Sequence, residues 1–284
     1  MITRRLGDTE VSALGLGGMP LSRPGRSGRL PERAQAVRTV HEALDRGITL
    51  LDTADCYAPD HTGLGHNEEL LAEALRGRAD GVLVATKGGI RRDGTAWPID
   101  GSPAWVREAV QGSLRRLGVE RIDLYQHHRP DPAVPYADTI GAFSELYDEG
   151  LVARVGLSNA SCAQILEAHT ILGDALVSVQ NEYSPRFRDS QPELDLCAEL
   201  GLAFLPWSPL GGMQHAADLG SDQAGFAAVA RERGVSPQQV CLAWLLTRSP
   251  VVIPIPGASR PASVADSVDA VHLRLSPEEL ALLG

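Results

Sequence analysis

Lys87 is the only lysine among 284 residues; every other one of the 26 basic side chains is arginine. It stands near the end of Gly81-Val-Leu-Val-Ala-Thr-Lys87-Gly-Gly89, where four apolar residues and a threonine lead up to a glycine pair. That is the pattern of a short buried strand stopped by a breaker. Arginine keeps its proton in proteins, whereas a lysine ammonium is a compact charge that responds to its surroundings. Three further residues carry complementary chemistry. Asp52 closes Ile48-Thr-Leu-Leu-Asp52, Tyr57 follows in the next loop, and His128 closes Arg121-Ile-Asp-Leu-Tyr-Gln-His-His128. An ammonium beside a phenol favours the phenolate and lowers the phenol from its usual pKa of about 10. A Tyr57–Lys87 pair is then expected to give and take a proton near neutral pH. In such a site Asp52 holds Lys87 charged and oriented, and His128 orients a substrate oxygen or shares the proton. Singly, each has a plainer explanation: a turn residue for Asp52, packing for Tyr57, a satisfied strand-end imidazole for His128. Their conjunction is what points to chemistry.

The elements that must position these residues repeat along the chain. Short apolar runs at 11–20, 48–52, 81–89, 121–128, 152–159, 176–183, 202–208 and 251–257 read as strands. Helical spacing lies between them, opened by Ser102-Pro103 and Ser236-Pro237 as caps with proline in the first turn. Near-continuous apolar strands alternating with amphipathic helices call for a parallel sheet covered by helices. Eight such units make an α/β fold of the (β/α)8 TIM-barrel type, with an open doubly wound sheet as the runner-up. Gly15-Leu-Gly17-Gly18 does not make a dinucleotide fingerprint, because no helix opens directly after it and the third glycine is missing. In a barrel the C-terminal strand ends converge on one face. Gathered there are Gly18 and Met19, Asp52 and Tyr57, Lys87, His128, Ser158 and Asn159, Gln180, Trp207 and Ser208, and Gly257 to Arg260.

Composition sets the outer bounds. No break resembles a linker, so residues 1–284 are expected to form one domain. A net charge of −10 and a pI near 5.3 argue against nucleic acid or an anionic membrane as partner. No leader-like apolar run opens the chain and no window approaches a membrane span, so a cytoplasmic protein is expected. Cys56, Cys162, Cys197 and Cys241 show no CxxC and fit reduced, mostly buried thiols. No long exposed apolar stripe demands a partner, and a monomer or weak homo-oligomer is expected.

The ordered motifs resemble the aldo-keto reductase superfamily over nearly the whole chain. They are Leu51-Asp-Thr-Ala-Asp-Cys-Tyr57 with Asn67-Glu68, Val84-Ala-Thr-Lys87, Ser113-Leu-Arg-Arg-Leu-Gly118 and Ile122-Asp-Leu-Tyr-Gln-His-His-Arg-Pro-Asp131. Val155-Gly-Leu-Ser-Asn159, Val179-Gln-Asn-Glu-Tyr-Ser184, Pro206-Trp-Ser-Pro-Leu-Gly211 and Ile255-Pro-Gly-Ala-Ser-Arg260 follow. The resemblance implies a TIM barrel that binds NAD(P)H and reduces the carbonyl of a small-molecule substrate. It places a catalytic tetrad on Asp52, Tyr57, Lys87 and His128, with Tyr57 as general acid and His127 turned into the barrel wall. It places Gly18 and Met19 on the cofactor side, Ser158, Asn159 and Gln180 on the nicotinamide carboxamide, and Trp207 against the nicotinamide ring. Ser208, Leu210 and Gly211 fall beside the pyrophosphate. Gly257, Ser259 and Arg260, between the last strand and a helix start, suit a phosphate, which favours NADPH/NADP+ over NADH. Asp266 falls near the adenine, while Ser263 and Ser267 depart from commoner family residues.

Arg129 stands where many members carry tryptophan; its guanidinium attracts an anionic substrate group or pairs with an acid such as Asp131. The long C-terminal loop of many relatives is expected to be missing after Ser276-Pro-Glu-Glu, and specificity is then expected to rest on residues 21–30, 58–66, 91–101 and 212–224. The substrate itself stays open among sugars, small aldehydes, pyridoxal-like rings and larger ketones. Two rival readings are a cofactor-binding regulatory protein with little turnover and a metal-dependent hydrolase using Asp60, His61 and His66 or the His127-His128 pair. The reductase reading calls for no metal, and adjacent strand histidines point to opposite sides.

Overall fold

The computed structural model describes residues 1–26, 28–59 and 63–284. The chain opens with an antiparallel hairpin of β1 (Thr3–Leu6) and β2 (Thr9–Ser12). Gly7, at φ +62°, and Asp8 make its two-residue turn, a backbone shape that glycine adopts without strain. There follow β3 (Leu16–Gly17), α1 (Arg33–Asp45), β4 (Leu50–Asp52), α2 (His66–Ala74), β5 (Leu83–Gly88), α3 (Pro103–Leu117), β6 (Leu124–His127) and α4 (Tyr136–Asp148). Then come β7 (Val155–Ser158), α5 (Cys162–Leu172), β8 (Leu176–Gln180), α6 (Gln191–Leu200), β9 (Ala203–Phe204), α7 (Leu219–Asp222), α8 (Ala224–Arg233), α9 (Pro237–Arg248), α10 (Pro261–Asp269) and α11 (Pro277–Leu283). β3 to β9 pair in chain order and all in parallel.

Residues 251–257, the expected eighth strand, close the sheet without a continuous ladder. On one side the Ile253 N–H donates to the Phe204 carbonyl at 2.8 Å and the Ile255 N–H to the Pro206 carbonyl at 3.3 Å. On the other, the carbonyls of Pro254 and Pro256 accept from Gly15 at 2.9 Å and Gly17 at 3.0 Å. Both prolines lack an N–H, so toward β3 this segment only accepts and half of the rungs are missing. The barrel is closed nonetheless, a (β/α)8 barrel as the sequence predicts.

The expected first strand over 11–20 is the one substantial revision. Residues 9–12 turn back to pair with 3–6, and only Leu16–Gly17 joins the barrel. The hairpin plugs the bottom. Leu6 and Val11 pack with Leu50, Leu83, Leu124, Val177, Leu205 and Ile253 in one buried cluster. A second cluster fills the space between the sheet and helices on the α3–α9 side, and a third lies beneath α1, α2 and α10. The Ser-Pro starts behave as expected: Ser102 Oγ accepts the Trp105 N–H at 3.3 Å and Ser236 Oγ the Gln239 N–H at 3.0 Å. Among the described residues no helix is long and apolar enough to cross a membrane.

Candidate active site

Side chains alternate along a strand, so each inward apolar residue is followed two positions later by another inward residue. β5 carries Leu83 and Ala85 in the barrel interior and then Lys87; β4 carries Leu50 and then Asp52; β6 carries Leu124 and then Gln126. The interior thus changes from apolar to ionic one step up the strands. Lys87 Nζ donates to Asp52 Oδ1 at 2.6 Å, to the Thr53 carbonyl at 2.8 Å and to the Tyr57 hydroxyl at 3.4 Å. The pair is fully enclosed, with 0% and 3% of the two side chains exposed. The second oxygen of Asp52 accepts from Gln126 Nε2 at 3.2 Å and Gln180 Nε2 at 2.8 Å. Such a pair persists in a dry interior only when its remaining lone pairs and protons are also satisfied.

The charges settle the protonation states. Burial alone would lower Lys87, but Asp52 first and Tyr57 next outweigh it and raise the ammonium above its ordinary value. Burial pushes the Tyr57 phenol up to about 12; Lys87 pulls it down, while Asp52 and Cys56 push it back. This corrects the expectation of a lowered phenol: Asp52 neutralises the charge meant to lower it, and desolvation wins. Tyr57 therefore holds its proton at neutral pH. Burial, followed by Lys87 and Arg129, keeps His128 well below the usual imidazole range, so His128 is neutral. Its ring stands edge-on to Tyr57 at 5.7 Å between centroids. His127 faces the other way, against Tyr136 at 5.9 Å and Phe143 at 5.7 Å, and burial lowers it to about 4.

Above this ionic floor lies a cavity of about 430 Å³. Asp52, Tyr57, His128, Met19, Ser158, Asn159, Gln180, Trp207, Ser208, Leu210 and Gly257 all line it. Lys87 does not; it sits behind Tyr57. The Ser158 hydroxyl donates to the Gln180 carbonyl at 2.9 Å, and Asn159 Nδ2 donates to Ser158 Oγ at 2.9 Å and to the His128 carbonyl at 3.0 Å. Asn159 and Ser208, at φ +59° and +50°, are the non-glycine residues with positive φ among those described. Strained backbone of this kind concentrates at functional sites. The indole Nε1 of Trp207 is buried and has no hydrogen-bond partner.

Other expected cofactor residues lie off the cavity. The Gly18 N–H donates to the Asp52 carbonyl at 2.7 Å, and a side chain there would press within 2.5 Å of Asn67 Oδ1. Gly211, at φ +87°, closes a turn onto the Ser208 carbonyl. The Ser259 carbonyl accepts from Gln35 Nε2 at 2.8 Å. Arg260 is the exposed N-cap residue of α10, which has no side-chain cap, and its Nε donates to Ser263 Oγ at 3.0 Å. Asp266 has both oxygens engaged at the start of α9, by Ser236 at 2.7 Å and Gln239 at 2.8 Å.

Several lining residues fall in the segments 91–101 and 212–224 that the sequence leaves for specificity, with Ile90 just outside them. Ile90 and Ile99 bridge in a small hairpin that presents Trp97, Asp93 and Ala96 bridge nearer its tip, and Gly94-Thr95, with φ +57° at Gly94, is its two-residue turn. Glycine at the first of the two central positions is a hairpin signal. Gly212, Met213 and Ala216 line the opposite wall. Arg129 lines the cavity and makes no ion pair with Asp131, whose carboxylate accepts the N–H groups of Gly101 at 2.9 Å and Ala133 at 2.8 Å. Arg23 stacks on Trp97 at 5.1 Å and Arg92 at 4.8 Å. Of the rival metal residues, Asp60 and His61 lie outside the described residues, and His66 Nδ1 contacts Ser22 Oγ at 2.8 Å.

A barrel with this floor defines a class, and the chain belongs to it: the model of the aldo/keto reductase family matches residues 13–283. An uncharacterised oxidoreductase of Schizosaccharomyces pombe is 36% identical over 99% of this chain and 88% of its own length. Pyridoxine 4-dehydrogenase of Escherichia coli is 34% identical over 99% of this chain and 96% of its own. An aldo/keto reductase of Klebsiella pneumoniae, solved in complex with NADP and acetate, superposes with a TM-score of 0.82 at 29% identity, covering 99% of this chain and 93% of that one. The protein is thus a member of an oxidoreductase family.

Proposed function

We propose that the protein reduces an aldehyde or ketone to the alcohol with NADPH, and that Tyr57 is the general acid. The observation that carries this reading is the buried chain Asp52–Lys87–Tyr57, which ends on a protonated phenol at the floor of the cavity. When bound, NADPH supplies the hydride to the carbonyl carbon. Tyr57 delivers the proton to the carbonyl oxygen, and Lys87 stabilises the phenolate left behind. His128, neutral and beside Tyr57, orients the same oxygen. Asp52 keeps Lys87 charged and in place.

The residues present fit the cofactor. Gln180 donates its side-chain N–H groups to the Asp52 carboxylate at 2.8 Å and to Gln126 Oε1 at 3.3 Å, so its side-chain oxygen is what remains for a carboxamide N–H. Ser158 and Asn159 stand beside it. Trp207 offers a ring face and an unsatisfied N–H. Ser208, Leu210 and Gly211 form the turn expected beside the pyrophosphate. Arg260 and the start of α10, which carries no side-chain cap, offer a guanidinium and the positive end of a helix to a 2′-phosphate. The NADP complex of the Klebsiella relative supports the same choice. Around the reacting centre the wall is apolar and aromatic through Ile90, Trp97, Ile99 and Met213, with Arg129 as its cation. A ring-bearing or apolar carbonyl compound with an anionic group suits that wall.

The test is NADPH consumption with a panel of aldehydes, with and without a carboxylate. Tyr57→Phe is expected to lower turnover by about 10²–10⁴-fold, the usual worth of a positioned general acid, while NADPH binding followed by fluorescence stays near that of the parent. Undiminished turnover in this variant sinks the mechanism. Failure of the parent with every carbonyl favours a regulatory NADP-binding role instead.

A further inference from the structure

Asp55, Cys56 and His128 bring a carboxylate, a thiol and an imidazole to one buried point, and carbonyl reduction as described uses only the imidazole. Their ligand atoms all lie within 4.8 Å of one another, and all three residues are buried. Cys56 Sγ is 3.5 Å from His128 Nδ1. A tetrahedral zinc ion bound at ~2.3 Å to sulfur and ~2.0 Å to nitrogen separates those two atoms by about 3.5 Å, so one edge of the coordination polyhedron is already set. Neither oxygen of Asp55 takes a hydrogen bond of good geometry, although the residue is wholly enclosed. Buried polar groups are almost always satisfied, and a carboxylate without donors is the group that a cation completes.

Charge balance agrees. The nearby cations are already committed, Lys87 to Asp52 at 2.6 Å and Arg116 to Glu68 at 2.6 Å. A thiolate and a carboxylate would neutralise a dication, and a thiol–imidazole–carboxylate set is of the type that zinc accepts. His128 lines the cavity and gives the ion its way in.

We propose that Asp55, Cys56 and His128 form a site for one thiophilic divalent ion of the zinc type, and that the bound ion stops carbonyl reduction. Binding forms bonds from the metal to sulfur, Nδ1 and a carboxylate oxygen, and the thiol proton, with any proton that burial holds on Asp55, leaves to solvent. It fixes the His128 ring from behind and sets a dication next to Tyr57, the neighbour of Cys56 in the chain. The inhibitory half rests on the reductase reading; the binding half does not.

Cobalt(II) reads the site without reference to activity. Titration of the intact protein with cobalt chloride is expected to give one equivalent per chain, with a thiolate-to-cobalt charge-transfer band and intense tetrahedral d–d bands. Cys56→Ser is expected to abolish the charge-transfer band. Asp55→Asn should weaken binding by more than about 100-fold, the upper range for loss of a mere outer partner of a metal ligand. Cys162→Ser, which removes the half-exposed thiol 3.5 Å from Glu193, should change nothing. Absence of a band in the parent, or its survival in Cys56→Ser, overturns the site. Near-ultraviolet circular dichroism checks folding, and Asp55→Asn decides the matter if Cys56→Ser does not fold. Zinc sulfate should then inhibit NADPH consumption by the parent reversibly and spare Asp55→Asn. Cobalt binding at Cys56 with zinc-insensitive turnover overturns the inhibitory half, and a parent that reduces no carbonyl refutes the reductase reading while the cobalt spectrum still decides the site.

Discussion

The lower and upper halves of the same barrel interior are built on opposite terms. Below, Leu6, Val11, Leu50, Leu83, Leu124 and Ile253 make a dry apolar plug. Above, on the same strands, Asp52, Lys87, Gln126 and Gln180 make an ionic network just as dry. The apolar half is stabilised by area removed from water and tolerates a missing methylene at a graded cost. The ionic half is held only while every partner is present, because removing one member leaves the desolvation of the other charge uncompensated. One half can be trimmed; the other can only be broken.

Lys87→Met breaks it most directly. It strands Asp52 in the interior, and a loss of about 3–5 kcal/mol is expected, read as a lower urea midpoint, together with loss of most turnover. Asp52→Asn combined with Lys87→Met removes both charges and should recover a good part of that stability but none of the activity. If the single and double variants unfold alike, the network is not the coupled unit described here. Leu6→Ala sharpens the contrast from below. Truncating a buried leucine is expected to cost about 2–5 kcal/mol, with kcat of the folded fraction unchanged. A comparable fall in kcat would show that the plug and the site are mechanically linked.

How much of this could be read beforehand follows from the same division. Lys87, Asp52 and His128 were legible because strand alternation and strand ends are local properties of a sequence, and a lone lysine in an arginine-rich chain is conspicuous. The direction of the Tyr57 shift was not legible. It depends on how fully the phenol is desolvated and on Asp52 cancelling Lys87, and neither quantity is local. The Cys56–His128 contact joins residues 72 apart in the chain, and Asp266 meets Ser236 across 30 residues, so no spacing rule announces either. The β1–β2 hairpin could have been found, since Gly7-Asp8 between two short alternating runs is a two-residue turn signal. The broken ladder at 251–257 was likewise written in Pro254 and Pro256.

The pH behaviour of Tyr57 is the next largest expectation, and its sign follows from the corrected pKa. With the phenol near 12, the proton needed for reduction is present across the neutral range, so kcat for reduction should be flat with respect to this group from neutral to moderately alkaline pH. Alcohol oxidation needs the phenolate, and its rate should climb about tenfold per pH unit, equivalent to about 1.4 kcal/mol, as pH rises toward that value. Opposed profiles in the two directions support a desolvated phenol. A reduction rate that falls already between pH 7 and pH 9, about the range below an ordinary phenol, would mean that Lys87 wins over burial after all.

The smallest effect lies at Ser208, on the rim between the two regimes, and here the sign is more informative than the size. Its φ of +50° is a left-handed conformation that costs a non-glycine residue roughly 1–2 kcal/mol, while glycine adopts it freely but gives the unfolded chain more entropy, worth about 0.4–1 kcal/mol. Ser208→Gly should therefore stabilise the protein by about 0.5 kcal/mol, seen as a slightly higher Tm. The same change removes a hydroxyl from the wall of the cavity, and NADPH binding should weaken. Opposite signs in the two measurements would mean that the strain is kept for the ligand. A gain in stability with unchanged NADPH binding would make Ser208 a structural turn residue, and would move the border between scaffold and site up by one residue.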